Sequence, residues 1–408
     1  MKIGVYGGSF NPPHLGHLHA AVSAAWYLGL DSLLLIPAGI PPHKQMAEGT
    51  PDAAYRLNMT ELIAQQAELD TRIPVRVSDM EVARGGKSYT ADTLRQLRQQ
   101  YSDDELWLLM GTDMFLTFQD WYQPETILDC AGICAFGRSE KDTEELFSVQ
   151  RNYLTNRFPN AKIVTMVLPN LVEVSSTELR AALSSGKGGR QYLTPQVYGY
   201  ILREKLYGTK LDLKRLTLDE LRPVALSYLK AKRVPHVLGV EEEATRLAEK
   251  YGANVEKARI AALLHDCTKK LGLDEQLALC ERYGIALDGL ERNALKLLHA
   301  KTGAALAREV FGADEDICGA ILWHTTGRPG MTVLEKIIYL ADYIEPNRDF
   351  NGVKELRAAV YGDLDRGMAL GLKMSIEELF ERGSPIHHAT REAYDYFRGL
   401  LGDKDGKG

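Results

Sequence analysis

The first twenty residues of the chain read Met1-Lys-Ile-Gly-Val-Tyr-Gly-Gly-Ser-Phe-Asn-Pro-Pro-His-Leu-Gly-His-Leu-His-Ala20. The apolar run Lys2–Tyr6 is typical of a buried β-strand, and it leads directly into the glycine turn Gly7-Gly8-Ser9. A helical pattern follows over Leu18–Leu28. A strand that passes through a glycine turn into a helix predicts a site for phosphate groups.

His14 and His17 stand at the entrance to this helix. Glycine lets the backbone of the turn approach a bulky anion, and the positive end of the helix dipole favours the same anion. Histidines three residues apart reach one phosphate, and Gly16 between them leaves room for it. An H-x-x-H pair is otherwise a hydrogen-bonded structural pair, but the strand, the glycine turn and Pro12-Pro13 before it favour the phosphate site.

Short apolar runs alternate with helical patterns up to about Tyr207. This alternation predicts a parallel sheet covered by helices on both faces. Ligands of such sheets bind at the carboxyl ends of the strands, where the glycine turn lies. The predicted strands are Lys2–Tyr6, Ser32–Pro37, Val75–Val77, Leu106–Met110, Gly132–Phe136 and Ile163–Leu168, and the helices between them include Leu18–Leu28 and Ala53–Gln66.

The pattern becomes almost entirely helical after about Gly208. The polar segment 208–216 is predicted to be a linker between an α/β domain, residues 1–207, and an all-α domain, residues 217–400. Residues 401–408, rich in glycine and charge, are predicted to be a disordered tail. The predicted helices of the second domain are Leu218–Lys230, Val240–Tyr251, Val255–Leu264, Leu290–Phe311, Ile317–Leu322, Val333–Ile344 and Val353–Leu379.

Composition bounds the class of protein. A length of 408 residues predicts two or three domains, and a net charge of -6 offers no basic surface for nucleic acid. No apolar run approaches the ~20 residues of a membrane span, and a strand stands where a secretion signal would begin. The five cysteines are scattered and form no C-x-x-C motif, so reduced thiols and a cytoplasmic location are predicted.

The run Gly7–His17 resembles the H-x-G-H nucleotidyltransferase superfamily, and most closely its bacterial nicotinate-nucleotide adenylyltransferases. The resemblance extends over about the first 205 residues and implies a Rossmann-like nucleotidyltransferase domain. The further segments that carry it are Pro41-Pro42-His43-Lys44, Ser88-Tyr89-Thr90 with Asp92-Thr93, Gly111-Thr112-Asp113 with Trp121-Tyr122, and Ser175-Ser176-Thr177-Glu178-Leu179-Arg180.

The resemblance implies that a phosphate oxygen of nicotinate mononucleotide attacks the α-phosphorus of ATP, with Mg²⁺ neutralising the pyrophosphate that leaves. His14 and His17 would contact the α-phosphate, and Lys44, Ser176 and Arg180 would hold the β- and γ-phosphates. Trp121 would stack on the pyridine ring, with Thr90 near its carboxylate. The remaining residues implied to bind substrate or nucleotide are Gly7, Gly8, Ser9, Phe10, Gly111, Asp113, Arg138, Ser175 and Thr177.

Two alternatives remain open for this domain. Ser175 with Glu178 is also an ordinary capping box, Ser-x-x-Glu before a helix, although capping does not account for Arg180. The acceptor could also differ, because phosphopantetheine adenylyltransferases and cytidylyltransferases share the H-x-G-H motif. They usually lack the run Asn11–His14 and the pairing of Gly111-Thr112-Asp113 with a tryptophan.

The second domain contains a spaced set of potential metal ligands, each on or at the end of a predicted helix. His265 and Asp266 end an apolar helix, and burying a charge there without a partner is costly. A metal ion would remove that cost. The complete set is His236, His265, Asp266, His299, His324 and Asp342.

This order resembles the HD-domain metallophosphohydrolases, in particular the bacterial enzymes that cleave diadenosine tetraphosphate symmetrically into two ADP. The resemblance covers about Leu218–Leu400 and rests on Arg233-Val-Pro-His236, His265-Asp-Cys-Thr-Lys269, Trp323-His-Thr-Thr-Gly327 and Tyr339-Leu-Ala-Asp-Tyr-Ile-Glu-Pro-Asn-Arg348.

The resemblance implies specific roles for these residues. His236, His265, Asp266 and Asp342 would bind a first metal ion, and His299 and His324 a second metal or phosphate. Asp266 and Lys269 would be catalytic, and Lys269, Arg328 and Arg348 would bind phosphate. Histidine with carboxylate suits iron, manganese or cobalt better than calcium. Bound metals would activate water and hold a phosphate oxygen.

Other readings of the second domain remain open. It could act on other nucleotides, or serve as a nucleotide-sensing regulatory module. Cys267 stands where this branch often has a small apolar residue, and we expect it to be a neutral filler. His43, His387 and His388 have no evident partners and are expected to face solvent. The predicted partners are the small nucleotides, with neither nucleic acid nor membrane, and a homo-oligomer is left open.

Overall fold

A computed structural model of the chain describes residues 1–42, 46–137, 139, 141–168 and 174–405. The chain forms two compact units, Met1–Lys210 and Leu211–Gly408. The boundary between them lies within the predicted linker, 208–216. Each unit is described by itself below.

The first unit is built on a six-stranded sheet in the order β3-β2-β1-β4-β5-β6. Every neighbouring pair of strands is parallel. This confirms the predicted parallel α/β architecture, and the predicted strands differ from the observed ones only at their ends. The strands are β1 Lys2–Gly8, β2 Ser32–Pro37, β3 Val75–Val77, β4 Glu105–Gly111, β5 Gly132–Phe136 and β6 Ile163–Met166.

Helices cover both faces of this sheet. They are α1 Leu15–Leu28, α2 Ala53–Thr71, α3 Met80–Arg84, α4 Thr90–Gln100, α5 Thr112–Leu116, α6 Pro124–Cys130, α7 Glu144–Arg157, α8 Ser176–Ser185 and α9 Pro195–Arg203. Short 3-10 turns lie at Phe118–Asp120, Arg190–Tyr192 and Leu206–Gly208.

Alternation along the central strand β1 divides the core into two layers. Ile3 and Val5 pack on the face covered by α4, α6 and α7, and Tyr6 packs on the face covered by α1, α2 and α9. A glycine is needed at position 4, because a Cβ there would lie 2.5 Å from Leu30 Cδ1. The strand that leads into the glycine turn is therefore buried on both sides.

The strand order reverses between β1 and β4. Connections from these two neighbours lead to opposite sides of the sheet, so a crevice opens at their carboxyl ends. The loop after β1 enters this crevice and is anchored by Asn11, whose side chain donates to Thr50 Oγ1 and accepts from the Tyr207 hydroxyl, each at 2.8 Å. Tyr207, close to the carboxyl end of the first unit, therefore helps to hold the loop that follows β1.

In the second unit every regular element of the described part, residues 211–405, is helical, which confirms the predicted all-α class. The α-helices are α10 Leu218–Leu226, α11 Val234–Tyr251, α12 Val255–Leu264, α13 Leu273–Arg282, α14 Leu295–Phe311, α15 Glu315–Trp323, α16 Val333–Ile344, α17 Val353–Gly362, α18 Leu364–Glu381 and α19 His388–Asp405. Short 3-10 turns lie at Ala231–Arg233 and Glu291–Asn293. None of the helices described in either unit is long and apolar enough to cross a membrane.

The helical prediction differs from the structure at several helix ends, as at α11, which begins at Val234 and not at Val240, and more substantially in two places. The single helix predicted over Val353–Leu379 is two helices, because Asp363 adopts an extended conformation and caps α18 by accepting from the Arg366 N–H. The prediction also lacked α13 and α19. Helix α19 extends to Asp405, into the predicted disordered tail, and residues 406–408 lie outside the described residues.

The cap at Asp363 gives a test of this helix boundary. Replacing it by alanine leaves the first N–H groups of α18 without their acceptor, at a cost of about 1 kcal/mol. We expect Asp363→Ala to speed amide hydrogen exchange in the first turns of α18 about fivefold. Mass spectrometry of the full chain measures this exchange.

The matched control is Asp395→Ala. Asp395 is an exposed carboxylate on α19 that faces Arg398 across 3.8 Å, and exposed pairs of this kind contribute little. Exchange in α18 should not change in this control. Equal exchange in Asp363→Ala and the unmodified chain would contradict the assigned boundary.

Candidate active sites

A cavity of about 560 Å³ occupies the crevice at the carboxyl ends of β1 and β4. Most of the residues predicted to bind substrate in the first unit contribute to its wall. Those found there are Gly7, Gly8, Ser9, His14, His17, Thr90, Gly111, Asp113, Trp121, Ser175, Ser176 and Thr177. Residues that are far apart in sequence therefore share one cavity.

The two histidines predicted to contact phosphate lie side by side. The ring centroids of His14 and His17 are 3.8 Å apart. His14 occupies the N-cap position of α1, and its backbone N–H donates to His17 Nδ1 at 3.3 Å. A neutral His17 that accepts at Nδ1 carries its proton on Nε2, so Nε2–H is the group that can donate to a ligand.

Two helices begin at the wall of the cavity. Gly16 and His17 belong to the first turn of α1, and Ser176 and Thr177 to the first turn of α8. The first N–H groups and the positive dipole ends of both helices favour an anion there. Ser175 occupies the N-cap position of α8 but its side chain makes no capping hydrogen bond, so the alternative of a simple capping box does not describe its hydroxyl.

The other residues predicted for this site have different positions. Phe10 is fully buried, with its ring 5.7 Å from Tyr6 and 5.2 Å from His17, so its side chain supports His17 instead of contacting a ligand. Arg180 lies beside the cavity, donating to Asn11 O at 2.8 Å and to Thr177 Oγ1 at 3.1 Å. Lys44 and Arg138, like His43, lie outside the described residues.

Sequence reasoning missed two buried charged residues at this cavity, Arg56 and Glu81. Glu81 contributes to the wall and accepts from Thr93 Oγ1 at 2.7 Å, and burial raises the pKa of its carboxyl. The Arg56 guanidinium donates to Ser9 O at 3.0 Å and Ala38 O at 2.8 Å. In the sequence each is a single charged residue within an amphipathic helical pattern. Such a pattern does not show that the charged residue is buried.

In the second unit the predicted metal ligands converge at the ends and inner faces of five helices. His236 lies in the first turn of α11, His299 in α14 and Asp342 in α16. His265 with Asp266 directly follows α12, and His324 follows α15. Helices that end at one point bring side chains together although up to 106 residues separate them in the sequence (342 minus 236).

The ligand atoms lie at distances suited to shared ions. His236 Nε2 is 2.9 Å from Asp342 Oδ1, and His299 Nε2 is 3.3 Å from Asp266 Oδ1. In each of two trios one ligand atom per residue lies within 4.8 Å of the others. The trios are His236, His265 and Asp342, and His265, Asp266 and His324.

The protonation states match those that metal ions require. Burial lowers the pKa of His265 to about 4, and burial with His299 and His265 nearby lowers the pKa of His324 well below its usual value. Burial opposes the charge of Asp266, but His265, His299 and Lys269 outweigh it and hold the pKa of Asp266 well below its usual range. Neutral imidazoles and ionised carboxylates are the ligand forms.

The fit to a metal also rests on one atom that has no hydrogen bond. His265 is fully buried, and its Nε2 has no hydrogen-bond partner among the described residues. Its Nδ1 is 2.6 Å from the Ala262 carbonyl, which therefore accepts the ring proton and leaves the Nε2 lone pair toward the acids. The Ile321 carbonyl orients His324 in the same way at 2.6 Å.

His236 is oriented by Glu345, which sequence reasoning missed. Glu345 is 1% exposed, and its Oε1 lies 3.0 Å from His236 Nδ1. The other oxygen accepts from the backbone and side-chain N–H groups of Asn347, at 2.7 and 3.0 Å. Gly239 on α11 is required beside them, because a Cβ there would overlap the Glu345 carboxylate.

Cations surround the two acids. Lys269 Nζ lies 3.1 Å from Asp266 Oδ1, and Arg348 Nη2 lies 3.0 Å from Asp342 Oδ1. Arg233, not among the predicted site residues, donates to Asp266 and reaches Asp342 at 3.6 Å. Arg328, predicted to bind phosphate, pairs through its guanidinium with buried Glu335 at 2.9 Å and lies over Trp323.

The expectation that His387 faces solvent is wrong. It is 6% exposed, because it directly precedes α19 and packs against the segment before α14, where its Nε2 lies 3.3 Å from Glu291 Oε1. Its Nδ1 accepts from the Ala389 N–H at 3.2 Å, as a helix cap does. His388 is exposed, as predicted. Cys267 is buried, and its thiol lies 3.8 Å from the Leu263 carbonyl oxygen.

Two family models match the chain. The cytidylyltransferase-like model matches residues 5–182, and the HD domain model matches residues 233–347. The matched ranges contain the described histidines of the first cavity and the complete ligand set of the second unit.

Known relatives resemble the two units separately. A "Probable nicotinate-nucleotide adenylyltransferase" of Carboxydothermus hydrogenoformans is 36% identical over 206 residues, which are 50% of this chain and 98% of the relative. The "Bis(5'-nucleosyl)-tetraphosphatase, symmetrical" of Bacillus subtilis is 41% identical over 165 residues, 40% of this chain and 88% of the relative.

A solved structure also resembles part of the chain. It is a "predicted HD superfamily hydrolase involved in NAD metabolism" from Clostridium acetobutylicum, 42% identical, with a TM-score of 0.44, covering 45% of this chain and 98% of that one. From the two curated relatives, the chain belongs to the nicotinate-nucleotide adenylyltransferase family through its first unit and to the symmetrical bis(5'-nucleosyl)-tetraphosphatase family through its second.

Proposed function

We propose that the first unit transfers the adenylyl group of ATP to nicotinate mononucleotide, releasing pyrophosphate and forming nicotinate adenine dinucleotide. The observation that carries this proposal is the pair His14 and His17 at a cavity where two helices begin. Hydrogen-bond donors and helix dipoles concentrated at one wall stabilise phosphate charge. The family of the first unit supplies the reaction that fits them.

Catalysis in this unit is alignment and charge stabilisation. The attacking phosphate of nicotinate mononucleotide is already anionic near neutral pH, so no general base is required. His17 Nε2–H donates to the α-phosphate, where negative charge grows as the new bond forms. His14, Ser176 and Thr177 bind neighbouring oxygens, with Lys44 and Arg180 on the β- and γ-phosphates. Mg²⁺ bound to ATP would neutralise the departing pyrophosphate.

The far side of the cavity suits the acceptor. Trp121 presents an aromatic ring that lies 5.6 Å from Phe118, and it would stack on the pyridine ring. Thr90 begins α4, so its hydroxyl and the first N–H groups of that helix favour the nicotinate carboxylate. Nicotinate mononucleotide should therefore be preferred to its amide.

We propose that the second unit hydrolyses diadenosine tetraphosphate into two ADP. The observation that carries this proposal is the convergence of four histidines and two aspartates at the distances given above. Iron, manganese or cobalt suits these donors, and bound ions would activate water and stabilise the phosphoryl group. Lys269, Arg348 and Arg233 hold the polyphosphate beside the ligands.

Substitution at His17 tests the first activity. We expect His17→Ala to lower kcat of adenylyl transfer by about 10²–10³, since it removes a donor to the developing charge. Hydrolysis of diadenosine tetraphosphate should not change, because the second unit is intact. Coupled detection of pyrophosphate with ATP and each acceptor measures the transfer. Faster transfer to phosphopantetheine than to nicotinate mononucleotide would make the acceptor assignment wrong.

Substitution at Asp266 tests the second activity. Asp266→Ala removes a carboxylate that faces both His265 and His299, so hydrolysis should fall by at least about 10³ with Mn²⁺, Fe²⁺ or Co²⁺ while adenylyl transfer is retained. Chromatography of the products formed from diadenosine tetraphosphate by the unmodified chain should show ADP alone. AMP with ATP would contradict symmetrical cleavage, and no hydrolysis by metal-loaded unmodified protein would favour a nucleotide sensor.

Glu345 gives a test of how the metal ligands are held. Without this carboxylate the His236 ring loses the partner at Nδ1 that fixes its orientation. We expect Glu345→Ala to weaken Mn²⁺ binding about 10–100-fold, and Glu345→Gln, which keeps an acceptor, to weaken it less. Competition against a chromogenic chelator measures the affinity.

Glu243→Gln is the matched control for Glu345. Glu243 is a buried carboxylate on α11 that accepts from the Tyr361 hydroxyl at 2.8 Å, and it is no part of the ligand set. Its substitution should leave Mn²⁺ affinity within about twofold. Equal losses in the Glu243 and Glu345 variants would show that Glu345 acts only through stability.

A further inference from the structure

Arg56 is a buried cation with no acidic partner in the described part of the chain. It lies in the first turns of α2 and is 3% exposed. No described carboxylate forms an ion pair with it, although a buried charge without a partner is costly. Elsewhere the protein follows the ordinary rule, since buried Glu241 is bracketed by Arg222 at 2.7 Å and Arg259 at 3.0 Å.

The partners of Arg56 are backbone carbonyls from two loops. One nitrogen, Nη1, donates to Ser9 O at 3.0 Å and to Ala38 O at 2.8 Å, and Nη2 donates to Gly39 O at 3.4 Å. Nε has no hydrogen-bond partner. Carbonyl dipoles satisfy donors but carry no net charge, so the positive charge of the guanidinium is not neutralised.

The position of this charge relates it to the cavity. Ser9 and Ala38 both contribute to the wall of the cavity, so the guanidinium lies directly behind that wall. Burial lowers the pKa of Arg56, which reflects the energetic cost of the charge, but an arginine stays cationic at neutral pH. Through a poorly solvated wall its attraction for an anion is screened much less than in water.

We propose that Arg56 is a positioning residue of the first unit whose buried charge is compensated by the polyphosphate of the nucleotide. The hydrogen bonds of Arg56 join the loop after β1 to the loop after β2. Its charge supplies a positive potential behind these two loops. This inference rests on the proposed function of the first unit. It predicts that the contribution of Arg56 increases with the number of phosphates on the ligand.

The experiment compares Arg56→Gln and Arg56→Lys with the unmodified full chain in the adenylyl transfer assay, which reports on the first unit alone. The readouts are KM for ATP and the inhibition constants of adenosine, AMP and ADP competing with ATP. For Arg56→Gln we expect KM for ATP to rise about tenfold, with smaller losses for ADP and AMP and less than about twofold for adenosine. Arg56→Lys should recover most of the loss.

Arg98→Gln is the matched control. Arg98 also donates to backbone carbonyls, those of Asp104 and Cys130 among them, but these precede β4 and β5 and so lie at the opposite ends of the strands from the cavity. Its substitution should change all constants by one common, small factor.

The results distinguish an effect of the Arg56 charge on nucleotide binding from a purely structural role of its hydrogen bonds. An equal loss for all ligands, or unchanged ATP binding in Arg56→Gln, would overturn the proposal. If Arg56→Gln is too inactive to assay, the shift in its thermal midpoint on adding ATP without metal serves instead, and a shift as large as that of the unmodified chain would overturn the proposal. Absence of adenylyl transfer in the unmodified chain would instead overturn the proposed function.

Discussion

Charge held in a poorly solvated pocket is the constraint on which both sites depend. In the first unit, helix N-termini, paired histidines and the buried Arg56 gather positive potential at one wall. In the second, the pKa values of Asp266 and Asp342 are held well below their usual range beside His265 and His324, whose own pKa values are lowered by burial. Neither arrangement is favourable by itself, because desolvation penalises every charge that it leaves without a partner. On the functions proposed above, a polyphosphate in one pocket and metal ions in the other would supply the missing charge, so the same physical cost would favour ligand binding in each pocket.

The two units build their charged pockets from different chemical groups. A parallel sheet places loops at the carboxyl ends of its strands, so backbone N–H groups and helix dipoles form the first pocket. A helical unit offers few free backbone donors, so the second pocket is made of side chains at the ends and inner faces of helices. Its precision comes from groups that hold the ligands: the Ala262 and Ile321 carbonyls orient two histidines, and Glu345 orients a third. Gly239 leaves the space that Glu345 occupies.

Sequence reasoning succeeded where local pattern and chemistry coincide. Apolar runs located every strand to within a few residues, because the central strands are mostly buried on both faces and carry charged residues only at their ends. Spaced histidines and acids predicted candidate ligands, most of which the structure brings together in possible metal sites. The single helix predicted over Val353–Leu379 was wrong. The apolar residues there follow one helical periodicity, but Asp363 caps a second helix and so divides the segment in two. The prediction for His387 was also wrong, because its burial depends on contacts with a distant segment.

The sequence by itself determined the two architectures, and it predicted a phosphate-binding glycine turn and a set of candidate metal ligands, because periodicity, glycine turns and histidine spacing are local properties. Only the tertiary structure decided which charged residues are buried. Arg56, Glu81 and Glu345 look like solvated charges in the sequence, yet each is less than 9% exposed next to a site. Phe10 and Arg328, both predicted as site residues, have partners that the sequence did not show: Phe10 lies in the core, and Arg328 pairs with Glu335. Burial is set by elements that arrive from elsewhere in the chain, and no local pattern encodes it.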